Sequence, residues 1–497
     1  MASATRAARV SAKGEIMVLI GSHIVEPSFT TPLPGFLPLD RLSDGAGGAA
    51  AEDLLVEDEG PCQLAEVAAA RDGFFAREHV GFVPRKPHSL AETGLSLDFI
   101  EKLLCRFLYV VGAAHGRRIA HETGLPFRLI EPLLLQMKSE MILVLRKTAG
   151  VGDYEYVLSE LGNERARRYM QECAYAETAP VPLADYVKAV AAQSLTMADV
   201  GMKELEDAFA DLLLDKKMLE RLGPAVNAGR GMFLYGSPGN GKTSIAERVV
   251  KCFGSEIWIP RTLIIDSQVV RLFDPVLHEV VKSTDSALLG ESLEDSRWVR
   301  IRRPTVVVGG ELTMDQLEMR HDPVSNVTEA PMQMKSNCGV LLIDDFGRQT
   351  MPVAQLLNRW IVPLEKRYDF QKLSDGKKIQ VPFDQLVVFS TNLEPKDLVD
   401  EAFLRRLPYK IEVTGPTAEQ FVDIMMIVAP GLGLHPTREQ VMDLVKTHFL
   451  KECRGMRCCH PRDLALQMRS YCRCHRLPLE FSKDAVDFAV ANYFAVM

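Results

Sequence analysis

The sequence lacks three features that would restrict its class at once. No apolar run approaches the roughly 18 residues of a membrane-spanning helix, and Ile16–Ile20 is too short for a secretion signal. Basic residues are not in excess, since 58 Lys and Arg stand against 66 Asp and Glu, a formal net charge of −8. The chain as a whole is therefore not an obvious polyanion binder. We expect a soluble, cytoplasmic protein without membrane insertion.

The ten cysteines show no regular pairing over most of the chain, which favours reduced thiols. The exception is the Cys- and His-rich span 453–475. Zinc prefers ligand pairs separated by about two to four residues. Here Cys458 and Cys459 are adjacent, and Cys472 and Cys474 are one residue apart. We favour buried free cysteines in this span, and structural zinc is the alternative.

A chain of 497 residues is long enough for about three domains. Residues 1–90 are rich in proline and glycine and include an acidic run, which predicts a flexible N-terminal arm. Residues 91–180 show the order helix, helix–turn–helix, strand, turn, strand. This order is typical of a winged-helix-like α+β domain.

A winged helix binds either DNA or protein. The candidate recognition helix carries Arg128 and Lys138 against Glu131 and Glu140. Residues 91–190 contain 12 basic and 13 acidic residues, a net charge of −1. A DNA reader usually has a basic surface that neutralises phosphates. We therefore favour protein docking, and DNA binding is the less favoured alternative.

A phosphate-binding loop is the most specific motif in the sequence. The apolar strand Met232–Tyr235 is followed by G-x-x-x-x-G-K-T and then by a helical pattern. In this context backbone N–H groups surround a β-phosphate, the lysine approaches the β- and γ-phosphates, and the threonine hydroxyl is placed to ligate Mg²⁺. The predicted ATP-binding residues are Gly236, Ser237, Pro238, Gly239, Asn240, Gly241, Lys242, Thr243 and Ser244.

Two carboxylates follow a second buried-type strand, Val340–Ile343. Ligands collect at the carboxyl ends of parallel strands, so Asp344 is the predicted Mg²⁺ ligand together with Thr243. Asp345 is predicted to orient or deprotonate the attacking water. The pair indicates a Walker B motif.

From about residue 195 to 497 the sequence resembles an AAA+ ATPase. Tyr368–Phe383 predicts a β-hairpin, and the strand Leu386–Phe389 then leads to Asn392. This arrangement resembles the branch with a hairpin before sensor 1, which MoxR-like, magnesium-chelatase-like and sigma-54-activator ATPases share. The resemblance implies an α/β fold: a P-loop NTPase parallel-sheet core at 195–415 with a helical lid at 416–497.

The resemblance also implies roles for further residues. Asn392 corresponds to sensor 1, and Arg462, which opens a lid helix, is similar to sensor 2. Arg405 and Arg406 end a segment that resembles the arginine-finger region, with Arg406 slightly preferred. Arg348 and Arg359 are rivals, and a plain surface role remains open for each arginine. A finger acts on the neighbouring subunit's ATP, so we expect self-assembly, with a hexameric ring as the expected form.

Two departures from the family pattern affect the prediction. The usual Walker B glutamate is Asp345 here, one methylene shorter, which predicts slow turnover. The pore-loop aromatic cannot be placed, so substrate threading stays undecided.

Three functions remain open at this point. We favour a Mg²⁺-dependent ring ATPase that remodels or assembles a protein client. The rivals are an ATP-dependent DNA-binding regulator and a nucleotide switch that barely turns over ATP.

Overall fold

The computed structural model describes residues 75–78, 81–148, 153–281, 293–398 and 401–495. Most of the predicted flexible arm, residues 1–90, lies outside these ranges. Within them, no helix combines the length and the apolar character needed to cross a membrane.

The first part of the described chain is built around four α-helices and a three-stranded antiparallel sheet. Its elements are β1 (Phe75–Glu78), β2 (Gly81–Pro84), α1 (Leu97–Val111), β3 (Ala113–His115), α2 (Gly116–Thr123), α3 (Phe127–Ser139), β4 (Leu143–Thr148), β5 (Tyr154–Leu158) and α4 (Glu160–Glu172). Strands β1 and β2 form an antiparallel pair within the predicted arm. The sheet order is β3-β5-β4. The order helix, helix–turn–helix, strand, turn, strand, predicted from the sequence within residues 91–180, is confirmed, and β3 is an additional strand.

Apart from the predicted strand Met232–Tyr235, residues 181–329 contain short strands that the sequence did not reveal. The elements before the phosphate loop are β6 (Val181–Pro182), α5 (Leu183–Ala192), α6 (Met202–Ala208), α7 (Lys216–Ala228) and β7 (Met232–Tyr235). The elements after it are α8 (Lys242–Val249), β8 (Glu256–Pro260), β9 (Thr262–Ile265), β10 (Gln268–Arg271), β11 (Trp298–Arg302), β12 (Thr305–Val308), β13 (Arg320–Asp322) and β14 (Val327–Glu329). One mixed sheet has the order β13-β14-β10-β9-β6, and β8 pairs with β11. The predicted end of the first domain at residue 180 therefore lies directly before β6, a strand that pairs with β9.

The central sheet has five parallel strands in the order β12-β15-β18-β7-β19. The remaining core elements are α9 (Met332–Lys335), β15 (Val340–Ile343), α10 (Val353–Lys366), β16 (Tyr368–Lys372), β17 (Lys378–Pro382), β18 (Leu386–Thr391), α11 (Pro395–Leu398), α12 (Glu401–Arg406) and β19 (Tyr409–Glu412). Hydrophobic clusters cover both faces of the sheet. Two-sided burial explains the near-continuous apolar sequences of β15 and β18. Strand β18 lies between β15 and β7 in this order. The three strands that lead to the predicted site residues, at 236–244, 344–345 and 392, are therefore adjacent.

The predicted hairpin is confirmed as β16 and β17. Its tip does not project freely, because the Ser374 hydroxyl donates to Gln268 Oε1 at 2.8 Å and Lys377 pairs with Asp266. Leu373, Ile379 and Val381 pack in one hydrophobic cluster with residues of β8–β11. The hairpin thus packs against the β structure inserted between α8 and β12, although it follows β12 in sequence.

The C-terminal region is helical, as the sequence predicted. It contains α13 (Ala418–Gly431), α14 (Arg438–Leu444) with a π-helical continuation (Val445–Leu450), α15 (His460–Cys474) and α16 (Lys483–Tyr493). A capping box of Thr417 and Gln420 begins α13. These helices share their own buried cluster.

A fully buried ion pair lies in the segment between α8 and β12, and its arginine also binds the first part of the chain. Arg297 donates through Nε and Nη2 to Asp295, with distances of 2.8–3.1 Å, and through Nη1 to the Thr93 carbonyl at 2.8 Å. Both side chains have zero exposure. Removing one partner would leave an uncompensated buried charge, which is far costlier than losing an exposed pair.

We predict that Asp295→Asn lowers the free energy of unfolding by about 3 kcal/mol, because the Arg297 charge stays buried without its counterion. Urea unfolding followed by tryptophan fluorescence measures this, since Trp298 lies beside the pair. The control is Asp423→Asn, which breaks an exposed pair with Arg438 and should cost less than about 1 kcal/mol. Equal losses in both variants would contradict the prediction.

Candidate functional site

The phosphate loop joins β7 to α8 and begins the helix with Gly241 as its N-cap. Gly236, Gly239 and Gly241 all have positive φ angles, which glycine adopts without strain. An added Cβ on Gly236 would lie 2.5 Å from the Val413 carbonyl oxygen. The side-chain amide of Asn240 donates to the same carbonyl at 3.2 Å. The loop is therefore held against the end of β19, with the N-terminus of α8 facing the site.

Lys242 is 7% exposed and sits at the centre of the polar residues. Its ammonium donates to the carbonyls of Gly236 at 2.9 Å and Ser237 at 3.1 Å, and to Asn392 Oδ1 at 2.7 Å. Burial lowers the pKa of Lys242, and the carboxylates of Asp344 and Asp345 oppose that shift. The ammonium is thus anchored within the loop that would surround a phosphate.

Asn392 links the lysine to the second carboxylate. Its Nδ2 donates to Asp345 Oδ1 at 3.3 Å while its Oδ1 accepts from Lys242. Asp345 has a positive φ of 48° and is exposed. This backbone turn at the end of β15 directs the carboxylate toward Asn392.

Thr243 and Asp344 lie side by side. The threonine hydroxyl donates to Asp344 Oδ2 at 2.8 Å, and Asp344 Oδ1 accepts from the Asp345 backbone N–H at 3.0 Å. A hydroxyl and a carboxylate are hard oxygen donors, and Mg²⁺ uses few protein ligands of this kind together with phosphates and water. These two residues fit such an ion.

A cavity of about 580 Å³ opens beside these residues. One end is polar, and it is lined by residues 238–244 with Asp344, Asp345 and Asn392. The other end is mainly apolar, and it is lined by Leu212, Leu213, Leu214, Ile424, Ile427, Val428 and Cys458. The cavity thus has a polar end formed by the phosphate loop and the strand ends, and an apolar end formed mainly by the segment before α7 and by α13.

The helical C-terminal region closes directly onto the phosphate loop. The Cys459 backbone N–H donates to the Gly239 carbonyl at 2.9 Å. An added Cβ on Gly239 would lie 2.5 Å from Cys459 Sγ. Glycine is therefore required at position 239 for two reasons: its positive φ angle in the turn and its close contact with Cys459.

These predicted arginines lie in three places. Arg462 lines the cavity at the start of α15. Arg405 and Arg406 end α12, and within the described chain neither lines the cavity; Arg406 Nε lies 3.5 Å from Glu365. Arg359 is held by Asp369 and Glu318, which makes it a poor trans-acting candidate.

The cysteines of the span 453–475 are spread over different surroundings. Cys472 is buried in the helical cluster, Cys453 and Cys474 are exposed, and Cys458 and Cys459 line the cavity. In the described ranges, no three His, Cys, Asp or Glu side chains are grouped so that they could hold a metal ion.

Sequence reasoning missed the residues that line the apolar end of the cavity. Leu212–Leu214 are an apolar run directly before the helix N-cap Asp215, and this run is a local signal that could have been noticed. Ile424, Ile427 and Val428 follow helix spacing that any amphipathic helix shows, so nothing distinguished them from core residues.

Comparison with known proteins gives limited matches. Residues 417–492, which hold most of the helical C-terminal region, match a family described as a domain of unknown function, DUF8689. No curated protein sequence matches the chain. Similar solved structures include the RuvB Holliday junction branch migration motor of Thermotoga maritima, with 15% identity, 60% of this chain and 71% of that chain covered, and a TM-score of 0.32. A variant of that motor has 13% identity, covers 61% and 74%, and has a TM-score of 0.33.

His460, beside Cys459, is 1% exposed and is enclosed by Phe449, Tyr493 and Phe494. Burial, together with the nearby Arg457 charge, lowers its pKa from 6.5 to about 4. The native state therefore holds neutral histidine, whereas an unfolded chain takes up a proton below pH 6.5. His460 therefore does not reduce the free energy of unfolding above pH 6.5, and it lowers that free energy progressively as the pH falls from 6.5 toward 4.

We predict that His460 makes the free energy of unfolding of the C-terminal helices about 2 kcal/mol lower at pH 5 than at pH 7. Hydrogen–deuterium exchange of peptides from α15 measures the change. In His460→Phe the pH-dependent loss should be smaller by that amount, whereas the exposed-site variant His435→Gln should behave as the wild type. A pH response that His460→Phe leaves unchanged would show that other groups cause it.

Proposed function

We propose that the chain is an AAA+ type ATPase that binds and hydrolyses ATP in the cavity beside the phosphate loop. The observation that carries the proposal is the meeting of Lys242, Thr243, Asp344, Asp345 and Asn392 at the polar end of that cavity. Three neighbouring parallel strands deliver these residues from distant parts of the sequence.

The polar end of the cavity offers hydrogen-bond donors and positive charge to a triphosphate. The loop N–H groups and the N-terminus of α8 attract the phosphate oxygens. Lys242 leaves its carbonyl partners and places its positive charge against the β- and γ-phosphates. Asn392, already in contact with Lys242, stays within reach of the γ-phosphate or the attacking water.

Thr243 and Asp344 would hold Mg²⁺, which offsets negative charge on the phosphates. Asp345 and Asn392 together orient the attacking water, and the Asp345 carboxylate accepts its proton. Because Asp345 is shorter than glutamate, Asn392 is the second contact that fixes the water. Burial of Lys242 strengthens its interaction with the charge that develops on the phosphoryl group.

The apolar end of the cavity suits the base of a nucleotide. Leu212–Leu214 and the α13 residues Ile424, Ile427 and Val428 form its two walls. Burying an aromatic base between aliphatic side chains is favourable. Arg462 approaches from α15, so nucleotide binding would fix the helical C-terminal region relative to the sheet.

The proposal extends to self-assembly into a ring. Among the described residues, Arg405 and Arg406 do not line the cavity of their own chain. If either of these two arginines is catalytic, it would therefore have to act on the ATP of a neighbouring subunit. Arginine suits that role because its planar, permanently charged group binds phosphoryl oxygens.

The partner is proposed to be a protein rather than DNA. The exposed face of α3 mixes Arg128 and Lys138 with Leu135, which is 43% exposed, and the exposed Glu140 follows directly as the C-cap. A mixed and partly apolar face fits a protein surface better than a phosphate backbone.

We predict that Lys242→Ala weakens Mg·ATP binding about 10- to 100-fold, because a charge-assisted contact to phosphate is lost. Hydrolysis should fall below detection. Isothermal titration calorimetry and phosphate release measure the two effects. The control is Lys217→Ala, an exposed lysine of α7, which should bind and turn over as the wild type does. Unchanged ATP affinity in Lys242→Ala would remove the basis of the proposed function.

We predict that mixing two inactive variants restores activity if Arg406 acts across subunits. Lys242→Ala subunits keep the arginine, and Arg406→Ala subunits keep the nucleotide site. Random assembly of equal amounts gives roughly a quarter of the wild-type phosphate release. A parallel mixture with Arg405→Ala identifies which arginine acts. Absence of recovery in both mixtures would argue against a trans-acting arginine at this site.

A further inference from the structure

An ion pair ties the apolar end of the cavity to the helix that follows the phosphate loop. Arg248 of α8 donates through Nε to both carboxylate oxygens of Asp211 at 2.9 Å, and its Nη2 lies 2.8 Å from Asp211 Oδ2. These hydrogen bonds lower the pKa of Asp211. Asp211 itself lines the cavity.

The position of the Arg248 guanidinium is fixed on the phosphate side. Its Nη1 donates to the Ser244 carbonyl at 3.1 Å, one turn earlier on α8 and next to Thr243. The side chain is 22% exposed. A planar guanidinium with bonds in both directions holds a more defined geometry than a lysine would.

The other end of the pair lies on a segment between helices. Residues 209–215 connect α6 to α7, and Leu212, Leu213 and Leu214 of this connection line the cavity. Leu212 and Leu214 pack against the hydrophobic cluster on one face of the sheet, whereas Leu213 is 46% exposed. Beside this packing, the Asp211–Arg248 pair is a polar attachment of the apolar wall to α8.

We propose that Asp211 and Arg248 are positioning residues that set the base-binding wall at the correct distance from the phosphate loop. The pair thereby selects a nucleoside triphosphate over a bare polyphosphate chain. This inference rests on the proposed ATP-binding function, because it concerns the same cavity.

The expected effect is confined to ligands that reach the apolar end. Asp211 is half exposed, so the pair is partly screened by water and the loss should be modest. A ligand without a base does not touch Leu212–Leu214, so its affinity should not depend on their position. A merely structural role would instead change the affinity for both kinds of ligand, or the thermal stability.

The test compares Mg·ATP with Mg·tripolyphosphate in the full chain by calorimetry. Asp211→Asn should raise the Kd for Mg·ATP about fivefold. The Kd for Mg·tripolyphosphate, the midpoint of thermal unfolding and kcat should stay unchanged, while KM for ATP rises with the Kd. Arg248→Gln should reproduce this pattern, and the double variant should add nothing to either single change.

The matched control is Glu247→Gln. Its carboxylate lies 3.9 Å from Arg248 Nη1, and Glu247 is absent from the cavity lining in the described chain. It should leave both ligands unaffected. If Asp211→Asn and Arg248→Gln bind Mg·ATP as tightly as the wild type, or weaken both ligands equally, the positioning role is wrong while the ATPase proposal stands. If the wild type binds neither ligand, the proposed function fails, and this inference fails with it.

Discussion

The buried ammonium of Lys242 is the constraint on which the geometry of the site depends. Its partners come from the phosphate loop and from Asn392, which follows β18. At 7% exposure, an ammonium without hydrogen-bond partners would carry a large desolvation cost. The loop, the end of β18 and the carboxylates after β15 must therefore keep their register relative to one another. The two-sided hydrophobic packing of the central sheet supplies that rigidity.

Local patterns allowed the sequence to predict this part of the molecule closely. The strands Met232–Tyr235 and Val340–Ile343 have the predicted bounds. Each carries its signal within a few residues, as continuous apolar side chains typical of a strand buried on both faces. The hairpin was recognisable for the same reason, because its turn and its alternating strands are adjacent in sequence.

The inserted β structure and the apolar end of the cavity could not be predicted in this way. Strands such as β9 and β13 are only three or four residues long, and Val181 pairs with Leu263 from a distant part of the chain. Such pairings depend on tertiary contacts that local propensity does not encode. Cys459 illustrates the limit, since its neighbours in sequence suggested metal ligation or core packing, whereas its surroundings include Gly239 of the phosphate loop.

The contact between Cys459 and Gly239 also bears on how the C-terminal helices could respond to a ligand. A backbone hydrogen bond and a contact too close for a Cβ join these helices to the loop. In the proposed function, phosphates would occupy one face of that loop while Ile424, Ile427 and Arg462 contact the rest of the nucleotide. A ligand changes a conformational equilibrium only through differential contacts with its states. Here both sets of contacts act on the same helices, so nucleotide binding and loss would shift their position relative to the sheet.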